Sequence, residues 1–171
     1  MASPLIRTVT GADVKPWLDD LADLRIRVFR DYPYLYEGTC DYERQYLATY
    51  AASPGSVFVL AMVDDRVVGA ATALPLADAE PEFRQPFLDQ GMAVDQVLYF
   101  GESVLDSAWR GHGVGHRFFD QREQHARALG LTVCAFCAVV RPGDDPRRPA
   151  DYRPLDGFWR SRGYVPRQGM I

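Results

Sequence analysis

Between Val94 and Val140 the chain reads as strand, glycine-rich turn, helix and strand, and a strand reached through one crossover helix lies parallel to the strand before it. Val94 to Leu105 forms the first strand of this unit. A helical pattern then runs from about Gly113 to Leu129, and Gly130 stands where a left-handed stop is expected. Leu131 to Val140 is almost continuously apolar, which predicts a strand buried on both faces.

The sequence before this unit supplies antiparallel partners. Leu5 to Val9 reads as a first strand. Asp13 is placed to cap a helix whose apolar positions Trp17, Leu18, Leu21, Leu24, Ile26, Val28 and Phe29 follow a helical period and which ends before Pro33. Asp31 to Gly38 is a tyrosine-rich loop, and Asp41 to Ala52 resumes a helix that Ser53-Pro54-Gly55 stops. Ser56 to Val63 and Arg66 to Leu74 are strand-like runs around Asp64-Asp65, a hairpin signal. A short helix is expected within residues 78–91. The four prolines of residues 141–154 mark a loop, Leu155 to Arg162 reads as a short helix, and a final strand is expected near Tyr164-Val165. The order predicts an α+β fold with a mixed sheet.

Composition narrows the function. With 171 residues, 47% of them apolar, residues 1–171 are expected to be one domain whose core removes roughly 70% of the unfolded chain's surface from water. The 19 Lys and Arg against 23 Asp and Glu leave a net charge of −4, which argues against nucleic acid as a partner and requires a local site for any anionic ligand. The apolar run 131–140 is about half of the ~20 residues needed to cross a bilayer, so no membrane is expected. Met1 to Gly11 lacks the pattern of a signal peptide, and a cytoplasmic location is expected. Cys40, Cys134 and Cys137 cannot all pair within one chain and are read as reduced, the last two as small core residues. His112, His116 and His125 have no partners at metal-ligand spacing, so no metal is expected.

Chemistry concentrates between Glu102 and His116. Glycines at 111, 113 and 115 let the backbone approach a ligand, and the free N–H groups of the helix start point outward at the positive end of its dipole. Such a turn holds phosphates. It is neither the nucleoside-triphosphate loop, since no Gly-Lys-Ser/Thr follows, nor the G-x-G-x-x-G dinucleotide turn.

Arg110-Gly111-His112-Gly113-Val114-Gly115 resembles the Gln/Arg-x-x-Gly-x-Gly/Ala motif of the GNAT acyltransferase superfamily, and the order of elements is similar over nearly the whole chain. The resemblance implies a three-layer α/β/α fold, with a mostly antiparallel sheet whose parallel pair splays at the acyl-CoA site. It implies acetyl-CoA as donor, its pyrophosphate on Arg110, Gly111, His112, Gly113, Val114 and Gly115, and its pantetheine arm along the backbone of Ser103, Val104 and Leu105. The implied reaction is direct attack of a primary amine on the thioester through a tetrahedral intermediate. An amine of pKa about 10 must lose a proton, which calls for a base or a base-held water. Glu102 is the nearest carboxylate, with Tyr99 as a residue that positions water. Strict alternation puts Tyr99, Gly101 and Ser103 on one face and Glu102 on the other, unless a bulge intervenes.

In similar proteins a tyrosine often protonates the departing thiolate. Trp159 stands at that position here, with Tyr152 and Tyr164 as substitutes or as packing residues. The loop between the first two helices commonly lines the acceptor pocket of this fold, so Tyr32, Tyr34, Tyr36 and Glu37 are candidate contacts for a small-molecule amine. The family usually ends in a two-strand hairpin, yet only Tyr164 to Ile171 follows Gly163, and an unpaired strand edge implies a homodimer. The competing class is an acyl-CoA-binding sensor on the same fold that does not transfer the group.

Overall fold

A two-residue turn at Asp64 and Asp65 shows how local chemistry sets the first half of the sheet. Both aspartates take left-handed backbone (φ 48° and 60°), which Asp tolerates and which joins right-twisted strands without splaying them. The computed structural model describes residues 2–170. Along them run β1 (Leu5–Thr10), α1 (Leu18–Phe29), α2 (Cys40–Ala52), β2 (Val57–Val63), β3 (Arg66–Pro75), α3 (Pro81–Asp89), β4 (Val97–Leu105), α4 (Val114–Ala128), β5 (Val133–Phe136) and α5 (Asp156–Ser161). The sheet order is β1-β2-β3-β4-β5, antiparallel except for the parallel β4–β5 pair that the crossover helix imposes.

Two cores make three layers. On one face Leu21, Leu24, Leu47 and Phe87 of α1, α2 and α3 meet Phe58, Leu60, Leu74 and Tyr99. On the other, Val114, Phe118, Phe119 and Ala126 of α4 meet Val57, Val59, Leu98 and Phe100. Strands β2 and β3 are buried on both sides and therefore read as unbroken apolar runs.

The structure corrects four expectations. Residues Gly11–Trp17 form a 3-10 turn instead of the first turns of a capped α-helix, and regular helix begins only after Pro16, which lacks an N–H and crowds the preceding turn. The run 131–140 yields a strand of four residues that lies at the sheet edge and is not buried on both faces, and Val140 is 90% exposed. Cys134 is half-buried and Cys137 exposed, so neither is a core residue. No strand forms at Tyr164-Val165; Tyr164 instead packs on Phe100, Phe119 and Phe136 and donates from its hydroxyl to Glu123.

Candidate functional site

The site is created by a fault in the ladder between β3 and β4. Ala71 pairs with Ser103 and Ala73 with Phe100, so Gly101 and Glu102 together oppose Thr72. This bulge resets the alternation. Tyr99, Gly101 and Glu102 now share the face toward α1 and α2, while Ser103 turns to the α4 side with Phe100. The parallel pairing with β5 ends at Phe100 and Phe136, so β4 continues to Leu105 with no strand neighbour on that edge among the described residues.

Glu102 sits at the centre of a buried polar network. One oxygen accepts from the Thr72 hydroxyl at 2.8 Å and from the Tyr46 hydroxyl at 3.3 Å. The other lies 2.6 Å from Nη1 of Arg25, an ion pair without the alignment of a hydrogen bond. Arg25 Nε also donates to Glu43, and its guanidinium lies over the rings of Tyr46 and Phe29 at 4.1 and 4.8 Å. Burial opposes charge on Arg25, but Glu102, Tyr46 and Glu43 outweigh it and hold its pKa above the ordinary arginine value. Burial pushes the phenols of Tyr46 and Tyr50 up, and the Glu102 carboxylate adds to the shift.

The bulge is fixed from its other side by Arg122, which is 1% exposed. It donates to the Glu102 carbonyl at 3.2 Å, to the Thr72 carbonyl at 3.4 Å and to Ser103 Oγ at 2.8 Å, while lying against Phe100 and Phe119. Complete burial depresses its pKa to about 10, so it remains a cation at neutral pH.

Facing Glu102 is a cleft of about 270 Å³ whose walls include Tyr34, Tyr36, Tyr42, Tyr46 and Val139. Of the candidate acceptor contacts, Tyr34 and Tyr36 reach it, Tyr32 packs edge-on against Tyr152 at 4.7 Å, and Glu37 is exposed and outside its lining. Arg141 ties this loop down by donating to the carbonyls of Pro33 and Tyr34 at 2.8 and 2.9 Å. Tyr99 is buried between Phe83 and Phe87; burial, and then the neighbouring Cys137 thiol, push its phenol far above the ordinary value.

At the far end of β4, Gly111 and Gly113 take φ of 79° and 76° in the left-handed region, and the space beside each is open to 4 Å. Gly113 caps α4 without a side-chain bond, which leaves the N–H groups of Val114, Gly115 and His116 without intrahelical acceptors. Arg110 and His112 are exposed beside this turn. An open cradle of N–H donors, a nearby cation and the unpaired edge of Ser103, Val104 and Leu105 fit a pyrophosphate and its extended arm. Among the described residues no group of three His, Cys, Asp or Glu is placed to hold a metal, and no helix is long and apolar enough to cross a membrane.

The profile of the Acetyltransferase (GNAT) family matches residues 18–149. The chain belongs to this family. No curated protein matches it by sequence. The fold of this GNAT protein is shared with aminoglycoside N-acetyltransferase AAC(6')-Iy in complex with CoA, at 16% identity and a TM-score of 0.58, with 81% of this chain and 80% of that one covered. It is shared with the aminoglycoside acetyltransferase meta-AAC0020 from an uncultured soil metagenomic sample, bound to sisomicin, at 15% identity, TM-score 0.58 and coverage of 98% and 91%. A possible acetyltransferase from Clostridium difficile 630 superimposes at TM-score 0.66 and 10% identity, covering 99% and 95%.

In the sequence of this GNAT chain Glu102 and the turn stand out as candidates, whereas Arg25, Glu43, Thr72, Tyr46 and Arg122, which surround Glu102 or its backbone, do not. The available signal lay in charged residues on otherwise apolar faces. Arg25 and Glu43 stand among the core positions of α1 and α2, and Arg122 among those of α4, where an unpaired charge would be too costly to keep. Trp159 packs on Phe136 at 5.1 Å.

Proposed function

We propose that the protein transfers an acetyl group from acetyl-CoA to a primary amine of a small molecule. The observation that carries this reading is the bulge at Gly101 and Glu102, which places one carboxylate at the floor of an aromatic cleft where β4 leaves β5. When bound, the thioester supplies the activated acyl group. The turn from Arg110 to Gly115 would hold the pyrophosphate, and the backbone of Ser103, Val104 and Leu105 the arm.

Glu102 accepts the proton of the attacking amine, directly or through a water. Thr72, Tyr46 and Arg25 keep its carboxylate aimed into the cleft. Free N–H groups on the unpaired edge of β4 stabilise the charge that develops on the carbonyl oxygen. Tyr99, enclosed by Phe83 and Phe87, supports the floor beneath Glu102 and positions water only through the backbone it braces. Tyr34 and Tyr36 contact the acceptor, with Tyr32 and Glu37 at the outer part of the same loop.

Calorimetric titration tests the donor half of this reading. Acetyl-CoA should bind at micromolar affinity and lose at least tenfold on Arg110→Glu; no binding at millimolar ligand removes the transferase reading. Trp159 in place of an acidic tyrosine favours a second reading, an acyl-CoA sensor, and tight binding with no acetylated product from any amine would select it. The open edge of β5 supports a homodimer, which a dimeric mass in sedimentation at tens of micromolar would bear out.

A further inference from the structure

Arg25, Glu43 and Glu102 form a charge triad. Arg25 pairs with both carboxylates, and the three side chains are 7%, 0% and 6% exposed. One guanidinium against two carboxylates leaves one negative charge uncompensated in a setting where solvent screens it poorly. Only Glu102 presents that charge to the cleft, since Glu43 lies behind Arg25 and outside the lining. Apart from Arg25 itself and the backbone of Gly101, the other walls are tyrosine, phenylalanine and valine side chains, and two of the aromatic faces, those of Phe29 and Tyr46, are already occupied by the guanidinium of Arg25.

This arrangement matches one ammonium group and penalises a second. A further cation in the cleft would meet Arg25 and the apolar walls, with no second carboxylate to desolvate against. The volume of about 270 Å³ also falls just under the ~300–1,000 Å³ of sites that enclose drug-sized ligands. Resting on the transferase reading above, we infer that the acceptor is an amphipathic monoamine, a single primary amine on a flat or aliphatic apolar body, and that polycationic amines are excluded by charge. The nitrogen lies toward Glu102 and the body among Tyr34, Tyr36 and Val139. In the transfer the amine lone pair forms the N–C bond and the C–S bond breaks with its electron pair going to sulfur. Two protons leave the nitrogen by way of Glu102: the first, lost from the ammonium before attack, goes to solvent, and the second, lost from the tetrahedral intermediate, goes to the released thiolate.

The test compares 2-phenylethylamine and hexylamine with spermidine and sisomicin, using the full chain with saturating acetyl-CoA. Thiol release and product mass report turnover, and calorimetry in the presence of CoA reports binding. Both monoamines should exceed both polycations by at least tenfold in kcat/KM, with the same order in affinity. Val139→Glu, a change at a position 46% exposed, adds a carboxylate to the rim without disturbing the core and should narrow that ratio at least tenfold. Preferred turnover of spermidine or sisomicin by the unaltered protein overturns the inference and leaves amine acetylation standing. Acetyl-CoA binding with no amine acetylated overturns the transferase reading and the inference with it.

Discussion

Glu102 faces the cleft because one neighbour makes room for the bulge and another, Arg122, holds it. Gly101 is the first: a Cβ there would stand 2.3 Å from the Tyr50 hydroxyl and 2.6 Å from Thr72 Oγ1, both part of the packing around the carboxylate. Gly101→Ala should therefore cost about 1–3 kcal/mol of stability as an overpacked site, read from thermal melts, and lower kcat by displacing Thr72. Glu102→Gln keeps the shape but removes the proton acceptor; kcat should fall about 10²–10⁴-fold while acetyl-CoA affinity, measured by calorimetry, stays within twofold. Arg122 touches no proposed substrate and acts through the backbone. Arg122→Met should leave the acyl-donor turn intact and reduce kcat with a smaller change in acceptor KM. Arg122→Lys, which restores one donor, should recover part of the loss. A parallel collapse of both parameters with stability would reduce Arg122 to a core residue.

At the scale of elements, two loops divide the labour. In the proposed donor site the turn into α4 can offer its N–H groups to an anion only if Gly113 keeps φ near 76°. Gly113→Ala meets no neighbour, so its penalty comes from the left-handed backbone alone, about 1–2 kcal/mol, and the acetyl-CoA Kd should rise about tenfold with the acceptor KM unchanged. The loop of residues 31–38 depends instead on the segment after β5, because Arg141 binds its carbonyls and Tyr152 packs on Tyr32. Arg141→Ala should raise the acceptor KM several-fold and leave acetyl-CoA affinity alone; equal effects on both substrates would place Arg141 at the donor site. The apolar run after α4 illustrates how composition misleads at this scale. Val139 lines the cleft instead of the core, so a run that reads as a doubly buried strand is partly a sheet edge and partly a wall of the cleft.

For the whole molecule, the buried phenols set a limit at high pH. Tyr46 and Tyr50 keep their protons in the folded state well above pH 10, whereas in the unfolded chain they ionise near pH 10. A raised acid pKa means that the folded state binds more protons, so this contribution is fully present below pH 10 and is lost progressively as pH rises from there toward the higher folded-state pKa. Melting temperature should fall between pH 9.5 and 11, and Tyr46→Phe should fall less steeply over the same range, as checked by circular dichroism.

Local chemistry alone determined the strand, turn and helix around Glu102 to His116, the parallel strand pair, the Asp64-Asp65 hairpin and the tyrosine loop. All but the parallel pair depend on residues within a few positions of one another, recorded directly by glycine spacing or hydrophobic period; the pair, which joins residues 36 apart such as Val97 and Val133, follows from the single crossover helix between its strands. The triad of Arg25, Glu43 and Glu102 was decided by tertiary structure, as were the hold of Arg122 on the bulge and the retreat of Tyr99 between Phe83 and Phe87. In the triad and the Arg122 contacts, partners from separate elements meet only when sheet register and helix packing bring them together. The bulge behind both sets Gly101 against Tyr50 and Thr72 from two other elements, where a Cβ would not fit, and that meeting depends on how α2 and β3 pack on β4.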